Sequence, residues 1–353
     1  MLLNAVFNSL KIMKTKSITE LSDTGWKKYF ELHQNLNRKY APDFYLPDNS
    51  VQKFKEDKIK MHNDHHPFNH VENVIFDDEL TKAVAFYSHT NYKETLGCGF
   101  DTDEDVISPV FMNFIMREIY QALLSIEGNV AARFWYFNNR RINALNMIGA
   151  EIVDKHILNR IYRKDMDINF YRSIIEKNKP NGEFIIKFYD KHPIELLSEF
   201  VKFINESHRA INALSHYKIP LKDQTEEEIR RYMNINDDNL HELIMFDKND
   251  EIAGISEINV DNFGGKRLRQ GLTGVAEKYR GRGFGKFLKA SLYEKALEEN
   301  FDFDFIQTDT MPWNKYMYRI NEELGFKPYK EGFEFRLTKE FLENYLNVHE
   351  PVI

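Results

Sequence analysis

Two hydrophobic rhythms alternate along this chain. Short apolar runs with a period of two mark strands, and longer runs with apolar residues three and four apart mark helices. In the second half, residues 184–189 read as a strand, 194–205 as a helix and 226–233 as another. Residues 243–246 and 252–260 form a hairpin about Asp247-Lys248-Asn249-Asp250, and 267–275 is the next strand. An amphipathic helix over 284–298 puts Phe284, Phe287, Leu288 and Leu292 on its core face, leaving Lys286 and Lys289 as exposed helix charges. A strand at 303–308, a helix at 314–324 and a strand at 332–337 follow. The pattern predicts an α/β (α+β) fold, a mixed, mostly antiparallel sheet flanked by helices.

The first half repeats it. Asn138 precedes a helical segment with Ile142, Ala144, Leu145 and Ile148, ending in Gly149-Ala150. A shift of 176 residues lays it on Asn314 through Gly325-Phe326. The same shift lays Phe7 to Lys11 on Glu183 to Lys187, and the helix after Pro109 on the helix after Gly285. The reading is two tandem copies of one domain, 1–170 and 171–353, joined near 164–181, with the first strand of the chain at 9–13.

The densest chemistry is Arg280-Gly281-Arg282-Gly283-Phe284-Gly285, between a strand and a helix. A Gly-rich turn there bares backbone N–H groups at a helix N-terminus, where the dipole adds partial positive charge. With two arginines beside it, such a turn suits a diphosphate. Under the 176-residue shift this turn falls on Glu104-Asp105-Val106-Ile107, with Asp101 and Asp103 just before. Carboxylates without glycine or arginine repel a diphosphate.

These residues resemble the GNAT (GCN5-related N-acetyltransferase) superfamily. Its motif [QR]-x-x-G-x-[GA] is matched by Arg280, Gly283 and Gly285, and its Asn-headed helix ending Leu-Gly-Phe by Asn314 and Leu324-Gly325-Phe326. The resemblance covers about residues 270–330. Two copies in tandem are similar to mycothiol synthase-like two-domain acetyltransferases in architecture, not in substrate. The resemblance implies a degenerate N-terminal domain and a C-terminal domain that binds acetyl-CoA or another acyl-CoA and passes the acyl group to a small-molecule or peptide amine. It implies that Gly274, Val275 and Ala276 line the pantetheine, with the Val275 amide on the thioester carbonyl. The diphosphate falls to Arg280, Gly281, Arg282, Gly283, Phe284, Gly285 and Lys286, while Asn314 and Asn321 lie beside the arm.

For proton transfer the candidates are Tyr318, on the same helix edge as Asn314 and Asn321, and the carboxylates Glu257 and Asp309. Asn321 stands where family enzymes often carry a tyrosine that protonates the departing thiolate. An acyl-CoA sensor without turnover, or an interaction protein, is the alternative function.

Composition narrows the classes. The chain has 353 residues and a formal charge of -7, which disfavours a general nucleic-acid binder. Cys98 is the single cysteine, so no intramolecular disulfide is expected, in keeping with a reducing cytoplasm. No apolar run has membrane-helix length and no secretory leader is read at the start, so no membrane partner is expected. His62, His65, His66 and His70 match no zinc signature, so no metal is expected. The expected assembly is a monomer or homodimer.

Overall fold

The computed structural model describes residues 14–42, 49–64, 70–77, 79–92, 95–105, 107–214, 223–229, 240–260 and 266–349. In chain order these form β1 (Lys14–Ser17), α1 (Asp23–Tyr40), α2 (Val51–Asp64), β2 (Val71–Phe76), β3 (Ala83–Asn91), β4 (Thr95–Thr102) and α3 (Pro109–Leu124). Next come β5 (Ala131–Tyr136), α4 (Asn139–Met147), β6 (Glu151–Tyr162), α5 (Ile168–Asn178), β7 (Ile185–Tyr189) and α6 (Leu197–Leu214). The rest are β8 (Leu240–Phe246), β9 (Ile252–Val260), β10 (Arg267–Val275), α7 (Phe284–Glu298), β11 (Phe305–Thr310), α8 (Lys315–Glu323), β12 (Lys327–Leu337) and α9 (Lys339–His349). The strand expected at 9–13 lies outside the described residues, and of the helix expected at 226–233 only 226–229 are described, as helix.

Two compact units divide the chain. Unit 1 is residues 1–155 with 332–353, and unit 2 is residues 156–331. The sequence suggests a single boundary at 170/171 with a linker around it; instead, 168–178 forms helix α5 inside unit 2. Tyr171 of that helix is fully buried, and Arg172 bonds Glu294 and Glu298 on α7.

Unit 1 orders its strands β1-β2-β3-β4-β5-β12, and unit 2 orders its strands β7-β8-β9-β10-β11-β6. The two orders match position for position. In each, one pair is parallel, β4 with β5 and β10 with β11, and the other described pairings are antiparallel. The last place is filled by exchange. β6 follows the first copy in sequence, yet its residues 157–162 pair with β11 in unit 2. β12 follows the second copy, yet its residues 333–337 pair with β5 in unit 1. A chain read as two consecutive copies hides this exchange, because alternation marks a strand without naming its neighbour.

In unit 2 the sheet has a helix layer on each face. Leu243, Met245, Ile258, Leu268 and Ile306 pack against Phe287, Leu288, Leu292 and Tyr293 of α7. On the other face Ile244, Phe246, Ile252 and Ile255 pack against Leu197, Phe200, Phe203 and Ile204 of α6. In unit 1 the acidic turn is neutralised locally. Asp101 is buried and paired with both Arg140 and Arg141, Asp105 is paired with Lys39, and Glu104 accepts the Ser108 N–H at 2.9 Å.

Candidate active site

The turn after β10 is built from backbone that glycine alone adopts easily. Gly281 has φ +79° and Gly283 φ +83°. Gly283 is the N-cap of α7, and its carbonyl accepts the N–H groups of Lys286 (3.0 Å) and Phe287 (3.1 Å). The N–H groups of Phe284 and Gly285, the first two of the helix, have no preceding turn to bond and point out of it. Arg280, Gly281 and Arg282 are exposed there. Arg280 Nε donates to Val275 O at 3.0 Å, and the Arg282 guanidinium lies 5.4 Å from the Tyr279 ring centre.

The β8–β9 turn anchors this loop. The Asp247 carboxylate accepts from Tyr279 Oη at 2.7 Å and from Lys278 Nζ at 2.9 Å. Desolvation opposes its charge, but those bonds and the N–H groups of Asn249 and Glu251 prevail and hold its carboxyl well below the usual range. Lys286 is paired with Glu323 of α8 rather than free at the turn.

Above the turn the sheet opens. β10 and β11 pair only over Arg267–Arg269 and 305–307, and beyond that they have no common register. Against β9, β10 carries a bulge between Gln270 and Thr273. The Gln270 amide fixes this bulge, donating to Glu257 O at 2.6 Å and accepting from Tyr293 Oη at 2.6 Å. Further along, Ala276 N–H donates to Ala253 O at 2.9 Å, so Val275 opposite Gly254 is a non-hydrogen-bonded position of the ladder. The Val275 N–H and C=O therefore point away from β9, toward the gap where β11 has diverged. Gly274 lets the backbone lie close under α6, since a Cβ there would sit 3.0 Å from the Phe203 ring.

Glu257 borders the same bulge on the α6 side. It is 6% exposed, and its Oε2 accepts the Leu272 N–H at 3.1 Å. Burial, then the charge of Glu242, pushes its carboxyl up to about 8, in the range of a base that works near neutral pH. Asp309 sits on β11, half-buried, with Oδ2 3.0 Å from His156 Nδ1.

On α8 the family-like residues separate into roles. Asn314 caps the helix, its Oδ1 accepting the Met317 N–H at 3.3 Å. Gly325, at φ +93°, ends it: Gly325 N–H bonds Glu322 O and Phe326 N–H bonds Asn321 O, both at 3.0 Å. Tyr318 is half-buried and Tyr316 is exposed. Asn321 is buried, with its Nδ2 on Thr310 Oγ1 at 2.8 Å and its Oδ1 accepting from Lys289 Nζ.

Lys289 corrects the sequence reading. It is 1% exposed, and burial lowers its ammonium to about 7. The helix it belongs to is covered by the sheet, by α5 and by α8, so a position polar by pattern lies inside. Glu242, buried opposite Glu257, and His192, buried against Glu242, were also missed. Nothing in a lone glutamate or histidine signals burial, and only the strand pairing brings them together.

The other sequence candidates belong to unit 1. Burial pushes the Cys98 thiol up and its Sγ–H donates to Leu96 O at 3.4 Å, the setting of an unreactive thiol. Of the histidine run, His65 and His66 lie outside the described residues, and among those described no group of three or more His, Cys, Asp or Glu side chains is placed to hold a metal. No described helix is long and apolar enough to cross a membrane.

Residues 207–326 match the acetyltransferase (GNAT) family model. No curated protein matches the sequence. Among solved structures, a tandem GNAT protein from the clavulanic acid biosynthesis pathway aligns with a TM-score of 0.67 at 11% identity, over 93% of this chain and 98% of that one. A GCN5-related N-acetyltransferase from Sphaerobacter thermophilus aligns with a TM-score of 0.63 at 10% identity, over 93% and 96%. A GNAT-family acetyltransferase from Colwellia psychrerythraea gives 0.52 at 14% identity, over 92% and 99%. At these identities the likeness is one of fold.

Proposed function

We propose that unit 2, which contains the residues matching the GNAT family model in a chain folded like a tandem GNAT protein, transfers an acyl group, acetyl in the first instance, from acyl-CoA to an amine. The observation that carries this is the coincidence of three features along β10: a gap toward β11, a backbone N–H at Val275 aimed into it, and a glycine-built helix start just beyond. Together they suit the thioester, its carbonyl oxygen and the diphosphate of one extended ligand.

In this reading the diphosphate rests on the N–H groups from Gly281 to Gly285, with Arg280 and Arg282 beside them and Lys286 bordering the turn. The pantetheine runs past Gly274, Val275 and Ala276, and Asn314 borders the arm. Glu257 takes a proton from the acceptor ammonium. The freed lone pair attacks the thioester carbon, and the Val275 N–H stabilises the oxygen as negative charge develops. The nitrogen of the intermediate gives up its second proton to solvent, and on collapse the C–S bond breaks and sulfur leaves with the electron pair, giving the neutral amide. A proton then reaches the thiolate, from Tyr318 or from water. Asp309, engaged with His156, is the weaker base candidate.

The test is release of free CoA thiol from acetyl-CoA in the presence of a panel of primary amines. Turnover with at least one amine, lost in Glu257→Gln, supports the proposal. Tight CoA binding with no turnover for any amine would favour an acyl-CoA sensor instead.

A further inference from the structure

Glu257 has a second carboxylate directly opposite it. Glu242 on β8 is its register partner across the β8–β9 ladder, so the two side chains leave the same face of the sheet. Opposed Cβ atoms in such a ladder lie about 5 Å apart. Glu242 is fully buried, and both its oxygens lie against His192 Nδ1, at 2.8 and 2.9 Å. The imidazole is itself 7% exposed and held by the Phe200 ring, 4.1 Å away centre to centre. Like charges directly opposite each other destabilise a sheet, and here both are out of water.

Unit 1 shows that the fold does not require the pair. Glu72 on β2 holds the place of Glu242, buried and bonded to Lys58 Nζ (2.7 Å) and Tyr29 Oη. Its register partner on β3 is Ser88, and Ser88 in turn faces Gly99 on β4. In unit 2 the corresponding glycine is Gly271, against which Glu257 Oε2 is packed. One buried glutamate is therefore common to both sheets. The second carboxylate, beside the bulge, is present only in unit 2.

We propose that Glu242, braced by His192, is a positioning residue for the base: its carboxylate, held directly opposite Glu257, makes that side chain bind a proton more readily and so sets the pH range of turnover. This rests on Glu257 being the base. The groups around the pair fit the role. On β7 the neighbour of Glu242 is Tyr189, itself pushed up by burial and then by Glu195 and Glu242. From β10 the Leu272 N–H and the exposed Arg269 favour the ionised form of Glu257. From α6 the sheet meets Leu197, Phe200, Phe203 and Ile204, which bring no charge, and His208 of that helix is lowered by burial. Within this set Glu242 supplies the negative charge nearest to Glu257, and Gln at 242 would keep its shape while removing that charge.

The experiment follows the glutamate carboxyl carbons of the ¹³C-labelled protein by NMR through a pH titration, with the Glu257 signal assigned by its loss in Glu257→Gln. In Glu242→Gln the Glu257 midpoint should fall by one unit or more, a tenfold or larger rise in its ionised fraction below the midpoint. The acid limb of the kcat/KM profile, with an amine that turns over, should move down by the same amount. Glu242→Asp, which keeps the charge, should leave both near wild type. An unmoved midpoint in Glu242→Gln, or an equal shift in Glu242→Asp, would overturn the tuning role while leaving Glu257 as base. Full activity in Glu257→Gln would remove the base assignment itself, and the proposal with it. Should Glu242→Gln not fold, His192→Gln serves as the second variant. Loosening the brace should move the Glu257 midpoint, and an unmoved midpoint there counts against the proposal equally.

Discussion

Lys289 Nζ donates a hydrogen bond to Asn321 Oδ1 between α7 and α8, and both side chains are buried. A neutral amide is a poor partner for an ammonium out of water, so the lysine favours its uncharged form. The unfolded chain keeps its proton up to the ordinary 10.5, while the folded one releases it near 7. Between those values the unfolded state binds more protons, so stability rises with pH. Urea unfolding at pH 7 and pH 9.5 should show a gain in the wild type, with a ceiling of about 1.4 kcal/mol per pH unit. Lys289→Met should lack that gain. Equal pH dependence in the two proteins would mean that the lysine is charged when folded.

Gly281 and Gly283 both have positive φ but differ in surroundings. A Cβ at Gly281 meets nothing within 4 Å, whereas one at Gly283 runs into the Asn178 side chain. Gly281→Ala should lower stability by roughly 1 kcal/mol, the backbone term alone. Gly283→Ala should cost about 2–3 kcal/mol, with Asn178 displaced as well. Denaturation midpoints of the two variants decide it, and equal losses would contradict the packing at Gly283.

Arg280→Glu with Arg282→Glu should weaken CoA binding about 100-fold or more. Two charge-assisted contacts of the ordinary size account for that. Both residues are exposed, so the melting temperature should change little. Isothermal titration with CoA is the measurement, and undiminished affinity would move the diphosphate elsewhere.

Tyr318→Phe should reduce kcat by about 100-fold, the usual scale of acid–base catalysis, with CoA affinity unchanged. Tyr316, 78% exposed, should tolerate the same change. A fully active Tyr318→Phe would assign protonation of the thiolate to water.

The sequence made the local parts of this site legible. The spans 267–275 and 284–298 agree with the structure to the residue, because alternation, a Gly-rich turn and a helical face each leave a short-range trace. The Asn caps at 138 and 314 are found in both halves for the same reason. What was hidden depends on neighbours distant in sequence. Lys289 looks like a surface charge until α5 and α8 close over it. Glu257 reads as a sheet-surface carboxylate until α6 covers it and Glu242 is placed opposite. Lys286 reads as a helix charge beside the turn, and its pairing with Glu323, next to Leu324 at the end of α8, depends on the packing of α8 against α7.

The exchange of β6 and β12 has a consequence for synthesis on the ribosome. Every strand of unit 2 has been made once residue 331 emerges, although that unit starts later in the chain. Unit 1 must wait for residues 332–337 before β5 gains its outer neighbour. Until then β5 is an unprotected edge, open to pairing with other nascent chains. The half that begins first is thus completed last, and β5 stays an open edge for the interval between them.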